Sequence, residues 1–256
     1  MLIDRDSHFQ IQSVHPACRN VNPGFRRLNA MMDTALVDLI DRLNRAYGPQ
    51  EWWPADDAFE MIVGAILTQR VAWRNADAAI DSLRAAGMLS VQAIDAASTE
   101  GVGERIRASG FYRAKARTLK AVSAYILRRH NGSAEQLRRA PLETLRKDLL
   151  DIAGIGPETA DAILVYAAGK PSFVVDAYTV RIVTRIEGSD MAPSYDRIQA
   201  RFMEVLAKDA ALYGQAHALL VRHGQRVCTK RAPRCGGCVL ADRCAYKELL
   251  NGRRER

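Results

Sequence analysis

The sequence predicts an all-α protein, and three observations predict it. Apolar residues recur at three- and four-residue spacing in one stretch after another, the repeat of a helix with one buried face. Several stretches are bounded by residues that start or stop helices. Strand signals are almost absent, Ser172–Val175 being the one short β-branched candidate.

Residues 1–30 lack periodicity and carry Arg5, Arg19, Arg26 and Arg27, which reads as a mobile basic arm. The first helix starts near Asp33 or Thr34, places Leu36, Leu39, Ile40 and Leu43 on one face, and stops at Gly48-Pro49. The second opens on Asp57-x-x-Glu60, a capping-box pattern, and runs to Gln69. A third spans about Asn75–Ala86 and ends at Gly87. Leu119, Val122 and Ile126 form the stripe of a helix over Arg113–Arg129, closed by Asn131-Gly132. Further helices are expected near 141–152, 157–168, 177–187, 194–207 and 211–226, and the last five residues, Gly-Arg-Arg-Glu-Arg, read as a solvated tail.

The chain has 256 residues, enough for one large domain or two small ones. Hydrophobic residues at 48% and charged residues at 26% exclude a disordered chain. The longest apolar runs, such as Met61–Leu67 with Gly64 inside, are far too short for a membrane span, and the N-terminus has no apolar stretch of signal-peptide length. A soluble, cytoplasmic monomer is expected. Lys and Arg outnumber Asp and Glu by 37 to 29, a net charge of +8 that suits an anionic polymer as partner.

Four of the five cysteines, Cys228, Cys235, Cys238 and Cys244, follow a C-x6-C-x2-C-x5-C spacing, while Cys18 stands alone as a free thiol. A leaderless chain rarely keeps disulfides, so the four read as a metal site, and four thiolates without a histidine suit zinc or an iron–sulfur cube.

Within Leu149–Tyr166, one helix runs into Gly154-Ile155-Gly156 and Pro157 opens the next. Free amides at such a turn hold a phosphate, so this is a helix–hairpin–helix element that reads a nucleic-acid backbone. Asp176 follows the apolar run Phe173–Val175 and leads a new helix. It caps that helix, and a carboxylate so anchored also stabilises a cationic sugar or orients a water.

With these residues in view the chain resembles the endonuclease III family of base-excision DNA glycosylases. The resemblance covers about residues 33–248 and rests on Ile66-Leu67-Thr68-Gln69, Gly110-Phe111-Tyr112, Leu150–Ala160, Val175-Asp176, His223-Gly224 and the cysteine spacing. It implies a two-lobed fold, with a helical-barrel domain over 50–165 that holds the hairpin. A discontinuous domain over 31–49 plus 166–250 would carry a 4Fe–4S cluster as a structural staple. It implies damaged double-stranded DNA as partner, a base flipped out of the stack, and a bacterial-type, nucleoid-associated enzyme. By position, Asp176 matches the catalytic aspartate, Gln69 the residue that fills the gap left by the base, Gly154 and Gly156 the phosphate-holding hairpin, and Lys230, Arg231 and Arg234 the basic loop between cluster cysteines.

One position departs from that family. Where endonuclease III has the lysine that forms a Schiff base with the sugar, this chain has Glu158. A carboxylate forms no imine, so a monofunctional glycosylase is expected, with water as nucleophile. Trp52-Trp53-Pro54 and Trp73, with Tyr178, resemble the aromatic base pocket of the 3-methyladenine branch. Indole faces attract a cationic alkylated purine by roughly 1–2 kcal/mol when desolvated. Two alternatives stand beside this reading: a glycosylase/lyase for oxidised pyrimidines using Lys115 or Lys170, and a non-catalytic iron–sulfur protein that binds DNA.

Overall fold

The computed structural model describes residues 34–50, 55–188 and 193–254. The N-terminal arm, Cys18, Trp52, Trp53 and Pro54 lie outside the described residues. The described chain is all-α: α1 Thr34–Tyr47, α2 Ala58–Leu67, α3 Trp73–Ala85, α4 Val91–Ala96, α5 Thr99–Arg105, α6 Tyr112–Arg129, α7 Leu142–Leu150, α8 Pro157–Ala162, α9 Ala177–Glu187, α10 Tyr195–Val205, α11 Ala210–Arg226 and α12 Ala245–Arg254. None of these is long and apolar enough to cross a membrane.

The stripes behave as their spacing requires. Leu36, Leu39, Ile40 and Leu43 are the buried face of α1. Asp57 caps α2 by accepting from the Glu60 amide at 2.8 Å. The reciprocal half of the capping box is spent elsewhere, because the buried Glu60 carboxylate accepts from Arg84 of α3 at 2.6 Å. Helices α4 and α5 were not expected; each is started by a serine, Ser90 and Ser98, whose hydroxyl accepts from the amide three residues on. The helix expected over 157–168 is α-helical only to Ala162 and then widens into a π-turn over Ile163–Ala167. The C-terminal residues expected to be a tail continue α12 as far as Arg254.

Helices α4 and α5 lie on α6, α2 packs against α3, α6 and the π-turn, and α11 packs against α1, α9 and the π-turn. The π-turn therefore touches both sets of helices, within one continuous buried apolar cluster.

The segment expected as a strand, Ser172–Val175, is extended but joins no ladder among the described residues, the Ser172 amide donating to the nearby Lys170 carbonyl at 2.9 Å. Side chains hold it in place. Buried Asp161 of α8 accepts from Arg146 Nε at 2.8 Å and Nη2 at 3.0 Å, from the Ser172 hydroxyl at 2.6 Å, from the Tyr195 hydroxyl at 2.7 Å and from Gln199 Nε2 at 2.8 Å. Gln199 also donates to the Phe173 carbonyl at 2.7 Å. Phe173 stacks on Phe202 with ring centroids 4.2 Å apart. The β-branched run is thus a buried tether, fixed at both ends, and it delivers Asp176 to the start of α9.

Candidate active site

Asp176 is the N-cap of α9 and is 9% exposed. Its Oδ1 accepts from the Thr179 amide at 2.7 Å and the Thr179 hydroxyl at 2.8 Å. Its Oδ2 lies 3.8 Å from Nε2 of His217, on α11. Burial pushes the carboxyl up, but His217 and the two Thr179 donors outweigh it and hold Asp176 below the ordinary carboxylate range. The group is therefore ionised at neutral pH, in a nearly dry place, with one oxygen tied down.

Glu158 stands in the first turn of α8, open to solvent. Desolvation by surrounding protein and the Asp176 charge push its carboxyl up, with His217 opposing. Two carboxyls in one neighbourhood are thus shifted in opposite directions, a pattern frequent at functional sites.

The hairpin adjoins this region through α8. Gly154 has φ +93°, and a Cβ there would fall 2.1 Å from the Thr118 hydroxyl of α6. That hydroxyl donates to Ala153 O at 3.0 Å, so hairpin and α6 are pressed together. Around Gly156 nothing lies within 4 Å of a built Cβ, which leaves its backbone open to a ligand. Gln69 donates from Nε2 to Gly154 O at 3.0 Å and to the Thr159 hydroxyl at 2.9 Å. The structure therefore joins two features that are 85 residues apart in sequence. Gly154→Ala is expected to cost about 1–3 kcal/mol in backbone strain, beyond the clash with Thr118. It should weaken DNA binding at least tenfold by fluorescence anisotropy, while Gly156→Ala should leave the fold's stability unchanged.

The two alternative amines are engaged elsewhere. Lys115 is buried, and its ammonium donates to Leu67 O at 2.9 Å and Ser109 O at 2.6 Å, the carbonyls at two helix ends. Burial lowers its pKa to about 8. Lys170 donates to Arg138 O at 2.7 Å.

Of the expected base-pocket residues, Trp73 begins α3 and is 38% exposed. The Tyr178 ring lies against Gly224 of α11, where a Cβ would come within 2.5 Å of it, and beneath the Arg181 guanidinium at 5.0 Å. Phe111 belongs to the Gly110-Phe111-Tyr112 motif. In the structure it is 65% exposed with φ +47°, an unusual conformation for a bulky residue. A Cβ on Gly110, beside it, would touch Val71, so this aromatic adjoins the loop that follows α2 and carries Gln69. Tyr166 and His217 were not expected from the sequence; no local motif marks either.

Cys228, Cys235, Cys238 and Cys244 are free thiols that line one cleft, walled by Ile182, Ile186, Val227 and Leu240 among others. Burial, and then the charges of neighbouring cysteines, push the thiols of Cys238 and Cys244 up. Arg185 donates to the Cys228 sulfur at 3.2 Å and to the carbonyls of Thr229 and Lys230 at 2.8 and 2.9 Å. Among the described residues no three His, Cys, Asp or Glu side chains converge on a position for a single metal ion. Lys230, Arg231 and Arg234, in the loop that Arg185 anchors, are all exposed.

Residues 63–208 match the family model described as HhH-GPD superfamily base excision DNA repair protein. A Methanocaldococcus jannaschii protein named, provisionally, a DNA repair glycosylase is 40% identical over 203 residues, covering 78% of this chain and 91% of that protein. Endonuclease III of Escherichia coli is 31% identical over 154 residues, 59% of this chain and 67% of the enzyme. A solved endonuclease III–DNA complex superposes with a TM-score of 0.73 over 86% of this chain and 98% of that one, at 19% identity. The 3-methyladenine DNA glycosylase of H. pylori, solved with 1,N6-ethenoadenine, does so with a TM-score of 0.63 over 75% and 95%, at 28% identity. The family match spans more than half of the chain and takes in the hairpin and Asp176 together, so the chain belongs to the HhH-GPD superfamily as a base-excision DNA repair glycosylase.

Proposed function

We propose that this glycosylase is monofunctional, hydrolysing the N-glycosidic bond of an alkylated purine flipped out of duplex DNA. The observation that carries the reading is the ionised, nearly buried Asp176 carboxylate beside Glu158, a residue unable to form an imine. As the glycosidic bond lengthens, positive charge gathers on the deoxyribose, and a fixed carboxylate in a dry site stabilises that charge strongly. Water completes the displacement and an abasic site is left. An alkylated purine is already a cationic leaving group and needs little further acid catalysis. Trp73, exposed at the start of α3, offers such a base an indole face. The likeness to a 3-methyladenine glycosylase solved with an ethenoadenine supports the same substrate class. A panel of duplexes carrying 3-methyladenine, ethenoadenine, thymine glycol and dihydrouracil tests it. Release of the alkylated purines is expected, and release of the oxidised pyrimidines alone would overturn the reading.

The DNA-facing parts divide by task. The Gly154–Gly156 hairpin and the basic loop take phosphates, whereas Gln69 and the exposed Phe111 fill the space the base vacates, an apolar ring being suited to wedge into a stack. Replacing Lys230, Arg231 and Arg234 together by alanine should reduce the slope of log affinity against log salt by up to ~3. An unchanged slope, measured by titration at several salt concentrations, would remove the loop from the interface.

The four thiols line one cleft and follow the C-x6-C-x2-C-x5-C spacing of the cluster loop that the chain resembles, which supports a 4Fe–4S cluster. Cys228, Cys235, Cys238 and Cys244 would hold the cluster, which would act as a staple for the basic loop. Iron and acid-labile sulfide should each be found near four per chain, and one zinc per chain would contradict this.

A further inference from the structure

We propose that Tyr166 and His217 form a positioning pair that keeps Oδ2 of Asp176 charged and oriented for the sugar. The proposal rests on the reading of Asp176 as the catalytic carboxylate and adds two residues to it.

The Asp176 oxygens are unequally placed. Oδ1 is committed to Thr179 through two hydrogen bonds, so it serves α9. Oδ2 is left to face Nε2 of His217 at 3.8 Å. His217 is 5% exposed, and its Nδ1 lies 2.7 Å from the Tyr166 hydroxyl. That hydroxyl is in turn 3.2 Å from Gly214 O, one turn earlier on α11. Gly214 permits the approach, since a Cβ there would sit 3.1 Å from the Tyr166 ring.

The geometry serves His217 in either protonation state. In the neutral ring, Tyr166 donates to Nδ1, which leaves the proton on Nε2, directed at Asp176. In the imidazolium, Nδ1–H donates to the Tyr166 oxygen, whose own hydrogen turns to Gly214 O. In each of these two arrangements a hydrogen faces the carboxylate. The elements around Asp176 present three other titratable groups: Glu158 from α8, Tyr166 from the π-turn and His217 from α11. Of these, only His217 acts on the Asp176 carboxyl, and it favours the charged form.

Removing His217 leaves burial opposed by the Thr179 donors alone, so the ionisation of Asp176 should move to higher pH. In His217→Gln, the acid limb of single-turnover base release should move up by at least one pH unit, with about a tenfold loss of rate at neutral pH. Tyr166→Phe, which keeps the ring against Gly214, should shift the limb in the same direction by less. A merely structural role would lower the rate at every pH and leave the limb in place. The Asp176 carboxyl carbon, assigned as the NMR signal missing from Asp176→Asn, gives a readout free of turnover. An upward shift of its titration in His217→Gln supports the pair, and an unshifted titration overturns it. If Asp176→Asn is inactive and His217→Gln matches wild type in rate and limb, the pair fails alone. If Asp176→Asn keeps its activity, the catalytic reading fails, and the carbon titration still decides whether the pair sets the carboxylate's charge.

Discussion

Asp176→Asn is expected to lower base release by at least about a thousandfold, roughly 4 kcal/mol of transition-state stabilisation, and to leave the protein folded. The two halves of this expectation come from different atoms of one side chain. The capping role uses Oδ1, which accepts from the Thr179 amide and hydroxyl. Asparagine caps a helix about as well as aspartate and presents a carbonyl oxygen in the same place, so the thermal midpoint should hardly move. The proposed catalytic role uses the negative charge, which asparagine lacks. Binding to an abasic-site duplex should be kept or tightened, because the proposal places this negative charge near the DNA. Single-turnover kinetics and anisotropy on the same preparation separate these effects. A variant that is inactive because it is unfolded would show a lowered midpoint and lost binding together.

The second large effect is on stability. Asp161→Ala should destabilise the fold by about 3–5 kcal/mol in urea titration, a sizeable share of the 5–15 kcal/mol that holds a typical domain. Asp161 is fully buried and accepts five hydrogen bonds, two of them from Arg146. Its removal strands a guanidinium and leaves Ser172, Tyr195 and Gln199 without their acceptor. Since Ser172 and Phe173 are held through this hub and lead directly to Asp176, activity should fall along with stability. A loss below about 1 kcal/mol would mean that the hub is dispensable and that the stacked Phe173 and Phe202 alone fix the tether.

Much of this was legible in the sequence because its information is local. The stripes of α1 and α6 repeat within a few residues, and the caps at Asp57 and Asp176 act within one turn. Helices α4 and α5 escaped notice for lack of length, although Ser90 and Ser98 announced them. Ser172–Val175 looked like a strand because β-branched residues favour extended backbone, and it is extended. Side chains of α10 and α8 rather than a neighbouring strand hold it, Gln199 through the Phe173 carbonyl and Asp161 through the Ser172 hydroxyl. For the proposed site, motif and spacing point to Asp176, Glu158 and Gly154. They do not point to His217, since it stands 41 residues beyond Asp176 and meets it only when α11 packs on α9. Tyr166 read as one more apolar position of a helix, and the π-turn that aims it has no sequence signature.

The central claim is hydrolysis at Asp176 without an amine that captures the sugar. Its most direct test is a duplex carrying ethenoadenine, incubated with the enzyme in the presence and absence of borohydride and then split into portions with and without alkali. Base release with no trapped protein–DNA adduct, and strand scission only after alkali, is the predicted result. A borohydride-trapped adduct together with scission in the absence of alkali would contradict it.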